Sequence, residues 1–211
     1  AIPVEGIIKI VKEFEGIGEN TTIVDLGSTK QKIIEAVPES IRQNFIPAHP
    51  MAGTEYSGPT AAFPGLFKDA VVAICDFKES GEIHVKRSVE LFSHLGMKII
   101  FMSAAEHDHH ASVISHLPHA ISFSLASSVL KKENKKNIIA LSGTGFNGMI
   151  RIAKSSPVMW TDIFKQNKQN LINSIDLFKK ELDECENLVK NEKWDELREW
   201  MGEARKIREI L

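Results

Sequence analysis

The chain has 211 residues, 43% of them apolar and 26% charged, with a formal net charge of −2. That length accommodates one large domain or two modest ones and can bury a sizeable core. The near-neutral balance gives no general reason to expect nucleic acid or an anionic membrane as partner, and no stretch approaches 18 uninterrupted apolar residues.

In chain order, AIPV reads as the end of a strand, and residues 5–14 as a helix with apolar positions at 7, 8, 10, 11 and 14. A domain seldom opens on a strand's last residues, so the chain is expected to be the remainder of a longer polypeptide. TTIVDL (21–26) reads as a strand and STKQKIIEAV (28–37) as the helix behind it. NFIPA (44–48) is a second short strand, with His49 and Pro50 directly after it. The residue before a proline is driven toward extended geometry, so His49 should project from a strand end in a fixed direction. DAVVAIC (69–75) and MKIIFM (97–102) read as strands on either side of a helical HVKRSVELFSHL (84–95). Strands joined by helices predict an open, mainly parallel α/β sheet.

After residue 103 the strand signals stop. SAAEHDHHASVISHLPHAISFSLASSVLKK predicts one long helix, with Ser103 as N-cap and Glu106 as its capping-box partner. Pro118 should bend that helix or free a carbonyl near Ile114. A second helix should include residues 147–153 and end before Pro157. From Thr161 onward Phe164, Leu171, Ile175, Phe178, Leu182, Cys185 and Val189 fall at threes and fours, with Lys168 in one slot, and a final helix covers 192–210. The reading is an α/β half at 1–103 and an all-α half at 104–211. These helices carry more apolar stripe than the half can cover, so a homodimer through them is expected, a self-closing bundle being the alternative. Cys75 and Cys185 lie in separate apolar patterns with no CxxC spacing, which predicts free thiols and a cytoplasmic location.

Four stretches could carry chemistry. In DLGSTK (25–30) Gly27 permits a tight turn where strand meets helix, and Ser28 can cap the helix or offer its hydroxyl to a ligand. Ligands of open α/β sheets bind beyond the carboxyl ends of the strands, and His49 lies at the same edge. In SHLPH (115–119) His116 and His119 share a helix face. His107 and His110 also share one, but no recognised metal spacing is present, so no metal is expected. Arg151 and Ser155 are four apart, and a guanidinium beside a hydroxyl suits a carboxylate ligand, with an internal ion pair to a glutamate as the plain alternative.

GSTK, HPMAGTEYSG, HDHHASVISHLPHA and GFNGMIRIAKSSPVMWTDIF, in this order and spacing, resemble the prephenate dehydrogenase family of tyrosine biosynthesis over essentially the whole chain. HPMAGTE and SHLPHA together carry the specificity of the match. The resemblance implies an α/β dinucleotide-binding (Rossmann-like) domain at 1–103, truncated at its N-terminus because the family's GxGxxG loop would lie upstream of Ala1. It implies an all-helical substrate-binding and dimerisation domain at 104–211. On the same basis His49 takes the place of the catalytic histidine. Ser28 contacts it and the nicotinamide region, and Gly27, Ser28, Thr29 and Lys30 face the cofactor, NAD or alternatively NADP. His116 and His119 would stand in the substrate cleft, with Arg151 on prephenate's ring carboxylate and Ser155 and Trp160 in the pocket wall. Glu55 would be a cleft carboxylate governing access and pH response. Gly148 stands where family members often carry an acidic residue, and Thr144 interrupts a glycine run, which weakens any inference to tyrosine inhibition.

The implied reaction, for the longer parent enzyme, is oxidative decarboxylation of prephenate to 4-hydroxyphenylpyruvate, with this shorter chain expected to be impaired. His49 would accept the ring hydroxyl proton as hydride leaves to NAD. Arogenate or dual-substrate cyclohexadienyl dehydrogenation is the alternative within the class, and a non-catalytic helical interaction domain the alternative outside it.

Overall fold

The computed structural model describes residues 2–53, 58 and 62–210. Among them the strands β1 (Ile23–Asp25), β2 (Phe45–Pro50), β3 (Val71–Cys75) and β4 (Lys98–Met102) form one sheet in chain order. β1 and β2 pair in parallel, β2 and β3 antiparallel, and β3 and β4 in parallel. The sheet is therefore mainly parallel, as expected, with one antiparallel ladder, β2–β3, that the sequence did not signal. Parallel neighbours need a crossover, supplied by α2 (Gln31–Ala36) and by α3 (Glu82–His94), whereas the described residues between β2 and β3 are turn and coil.

Alternation along β2 sorts its side chains to two faces. Phe45 packs with Val4 and Val11 of α1 (Val4–Lys12) and Ile33 of α2. Ile46 and Ala48 point the other way, to Val72, Ile74, Phe92 and Met97 under α3. Each such aliphatic or aromatic burial contributes about 1.5–3 kcal/mol. The period places His49 on the Phe45 face, and its ladder partner Ala73 packs there with Cys75 and with Ala104 of α4 (Ala104–Ala111). His49 thus lies inside the strand, which runs on through Pro50 and does not stop at Ala48. Ile2 and Pro3 likewise form no strand, and α1 begins at Val4.

Ser103 caps α4 through the capping box with Glu106. The helical run continues as a π turn at Ser112–His116 and then α5 (Leu117–Lys132). Pro118 has no N–H to donate and its ring crowds the Ile114 carbonyl, so the wider π turn is where that mismatch is absorbed. By length and composition the run Ala104–Lys132 could cross a membrane. Its first turns, however, pack on the sheet through Ala104, and Asp108 is 1% exposed.

α6 (Lys135–Leu141), capped by Asn134, was not foreseen, being too short to show a period. The expected 147–153 helix is α7 (Thr144–Ile150) followed by a 3-10 turn, Arg151–Lys154. The long stripe from Thr161 is two helices, α8 (Pro157–Gln166) and α9 (Lys168–Lys190), broken at Asn167, and α10 (Trp194–Arg205) follows. The chain divides into compact units at 1–171 and 172–211. In the second unit the Trp200 indole N–H donates to Glu181 at 3.1 Å.

Candidate active site

The turn after β1 is built by its own carboxylate. Asp25 accepts the Gly27 N–H at 2.7 Å and also pairs with the Lys30 ammonium, which donates a second bond to the Ala48 carbonyl at 2.7 Å. A Cβ on Gly27 would lie 2.6 Å from the Ile33 Cδ1 methyl and 3.0 Å from that of Ile7, so any larger residue would make those side-chain ends shift. Lys30 is fully buried, and its charge is committed to linking the turn to β2 immediately before His49. Thr29 is also fully buried, and its Oγ1 has no partner among the described residues. Ser28 is half-buried beside exposed Leu26. Ser28 does not cap the helix: α2 begins at Gln31, with Lys30 as N-cap, too far along for the Ser28 hydroxyl. The cap comes instead from α4, where Asp108 accepts the Lys30 N–H at 2.8 Å and the Gln31 N–H at 3.0 Å.

Asp108 also holds the Nδ1 of His107 at 2.8 Å, and His107 Nε2 lies 2.8 Å from His49 Nδ1. The two rings meet edge to face at 5.0 Å. The Nδ1 partner of His49 is therefore His107, and Ser28 makes no side-chain hydrogen bond among the described residues. Burial first, then the neighbouring His107, Lys30 and His116, hold the His49 pKa well below the ordinary value of 6.5. His49 is a neutral imidazole at neutral pH.

A second group sits on the helices. His116 is buried at the end of the π turn, 3.2 Å from the Asn167 amide, which also donates to the Asp108 carbonyl at 2.6 Å. Burial pushes the His116 pKa down to about 4, against the opposing pull of Asp108. His119 stacks on Trp160 with centroids 3.4 Å apart, and His116 meets the same indole edge-on at 6.0 Å. Burial lowers the His119 pKa too, the Ser115 carbonyl opposes, and the Arg151 charge adds to the depression. Trp160 is 7% exposed and its Nε1 has no partner among the described residues. Arg151 is exposed and Ser155 buried. They do not share an α-helical face, because the segment is a 3-10 turn and Ser155 is extended. Glu55 lies outside the described residues.

His107, Asp108 and Asn167 are the residues the sequence did not assign. His107 and His110, the pair that shares a helix face in HDHH, differ in environment: His107 is buried and His110 exposed. No group of three or more His, Cys, Asp or Glu among the described residues could hold a metal ion.

Comparison with known proteins follows the same two-part layout. Residues 1–101 match the prephenate dehydrogenase nucleotide-binding domain and residues 103–203 the prephenate dehydrogenase dimerization domain. The crystal structure of prephenate dehydrogenase from A. aeolicus, in complex with hydroxyphenyl propionate and NAD+, superposes with a TM-score of 0.89 at 32% identity, over 98% of this chain and 73% of that one. The chain belongs to the prephenate dehydrogenase family. It is a Rossmann-like nucleotide-binding domain followed by a helical domain of that family. Prephenate dehydrogenase of Bacillus subtilis is 32% identical over all of this chain, which spans 58% of that relative's length. Cyclohexadienyl dehydrogenase of Zymomonas mobilis is 31% identical over 92% of this chain and 67% of its own.

Proposed function

We propose that the protein oxidatively decarboxylates prephenate to 4-hydroxyphenylpyruvate with a nicotinamide dinucleotide. The observation that carries this reading is His49, a neutral imidazole held at Nδ1 by a hydrogen bond to His107. The residues at the carboxyl end of β1 suit the nicotinamide end of such a cofactor. Leu26 offers an exposed apolar side chain, Ser28 a half-buried hydroxyl, and buried Thr29 an Oγ1 with no partner among the described residues. We assign Gly27, Ser28 and Thr29 to that surface, with Lys30 fixing the turn's shape. When bound, the cofactor supplies the acceptor for the hydride.

His49 accepts the ring hydroxyl proton as the carbon bearing that hydroxyl gives up its C–H electron pair, leaving a ketone. The opposite ring carboxylate then departs as carbon dioxide, and its electron pair aromatises the ring to a phenolate. The proton held on His49 returns to that oxygen, so no net proton is released. Arg151, an exposed residue, grips the ring carboxylate. His116, His119, Ser155 and Trp160 form the wall around the substrate. The buried Trp160 N–H, without a partner among the described residues, supports that assignment, since an orphan donor costs about 1–3 kcal/mol unless a ligand takes it.

The likeness to a cyclohexadienyl dehydrogenase favours a second reading, in which arogenate is also a substrate. Turnover of prephenate and of arogenate, each with NAD and with NADP, decides among these readings. Absence of reduced cofactor in all four assays would contradict the proposal and favour a non-catalytic helical domain. We place two functional domains at 1–103 and 104–211, and a homodimer through the second. Exposed Leu177, Leu182, Trp194, Met201 and Ile207 support such an interface. Light scattering should report twice the 23.6 kDa chain mass; a monomer would contradict it. Two free thiols support the cytoplasm as the compartment.

A further inference from the structure

We infer that His107 and Asp108 are positioning residues that fix which nitrogen of His49 is free to take a proton. The inference rests on the base role proposed for His49. It starts from Asp108, whose carboxylate is pinned by two backbone N–H groups at the start of α2, at 2.8 and 3.0 Å. A carboxylate held this way can only accept, so His107 Nδ1, 2.8 Å from it, carries the hydrogen. A neutral imidazole with its hydrogen on Nδ1 has a bare Nε2. That bare nitrogen faces His49 Nδ1 at 2.8 Å, which must therefore be the protonated one. His49 Nε2 is left with its lone pair, ready to accept. The chain of bonds runs from a helix N-terminus in the sheet domain to a carboxylate and a histidine on α4, and back to the sheet at β2.

The partial positive charge of the α2 N-terminus anchors one end, so the arrangement does not need Asp108 to be balanced by a charged histidine. Among the described residues, the charged and titratable groups facing His49 are His107 from α4, His116 from the π turn and Lys30 from the turn before α2, the last paired with Asp25. His107 is 3% exposed and Asp108 1%, which keeps water from replacing either bond. The Asn167 amide on the Asp108 carbonyl, at 2.6 Å, holds that turn of α4 in place.

Two-bond 1H–15N correlation spectra of the full chain at neutral pH read the tautomers directly, without cofactor or substrate. The expected result is hydrogen on Nδ1 and none on Nε2 for both His49 and His107. Asp108→Asn should let His107 turn over and move the His49 hydrogen to Nε2. Should that buried amide prevent folding, the His107 pair decides. His107→Gln keeps an acceptor for His49 Nδ1–H and should keep the tautomer, and His107→Leu should lose it. In turnover, His107→Leu should lower kcat about 10- to 100-fold with KM changed little, a wrong-tautomer effect that His107→Gln partly reverses. A doubly protonated His107, hydrogen on His49 Nε2 in the unaltered chain, or a His49 tautomer unmoved in His107→Leu would overturn the inference. If the tautomers are as stated and neither prephenate nor arogenate is turned over, the functional reading fails and the positioning chain stands.

Discussion

Each histidine group of the site joins a half-buried ring, His49 or His119, to a buried one, His107 or His116, yet the two groups are held by different forces. His49 is fixed by directed hydrogen bonds that end on a carboxylate and a helix N-terminus. His119 is fixed by stacking on Trp160 and by one backbone carbonyl, with Arg151 exposed nearby. A hydrogen-bond chain specifies where a proton sits, and a stacked pair specifies a plane. The first arrangement suits proton transfer and the second suits holding a ring and its carboxylate. The comparison therefore assigns chemistry to the sheet-borne group and binding to the helix-borne one.

The largest disturbance should come from Lys30→Met. It strips the partner from Asp25, which is 5% exposed, and from the Ala48 carbonyl beside His49. Breaking a buried pair from one side costs about 3–5 kcal/mol, read as a fall in the urea midpoint. A loss below about 1 kcal/mol would mean that the proton-holding group does not depend on that buried charge.

Acid should come next. The folded pKa of His116 is depressed to about 4 from an ordinary 6.5. Its neutral form therefore contributes stability that is fully present above pH 6.5 and is lost as pH falls toward about 4. The loss is on the order of 3 kcal/mol, with His49 and His119 adding in the same direction. Unfolding measured between pH 7 and 4 checks it, and His116→Gln should flatten the slope. An equally steep slope in that variant would break the assignment.

The smallest effect separates binding from packing. Trp160→Phe keeps a ring under His119 and removes an N–H that has no partner among the described residues. Unfolding free energy should change by less than about 1 kcal/mol while the prephenate KM rises a few-fold. A large loss of stability with unchanged KM would make the indole a core residue only.

Much of this frame was legible in the sequence because it is local. Apolar runs marked the four strands, Ser103 and Glu106 announced the start of α4, and Pro118 marked the helix disturbance that proves to be a π turn. What escaped depends on distance along the chain. Asp108 caps a helix 78 residues away, and HDHH read locally looks like a loose set of metal ligands, although one of its histidines is buried against the sheet and another faces solvent. The break at Asn167 escaped too, because the apolar spacing continues across it while the side chain turns inward to Asp108 and His116. The antiparallel β2–β3 pair was hidden by a connection with no periodic signal. Residue types singled out His49 and the family resemblance gave it an expected role; nothing local pointed to His107 as the partner of its Nδ1.

Steady-state kinetics of His49→Asn against Arg151→Met tests the division between chemistry and binding most directly. His49→Asn should cut kcat about 10²- to 10⁴-fold, the scale for a positioned base, with KM near that of the unaltered protein. Arg151→Met should raise KM first, because the carboxylate loses its paired donors. If His49→Asn instead kept near-normal turnover while binding collapsed, His49 would be a substrate anchor, and the base would have to lie at His116 or His119.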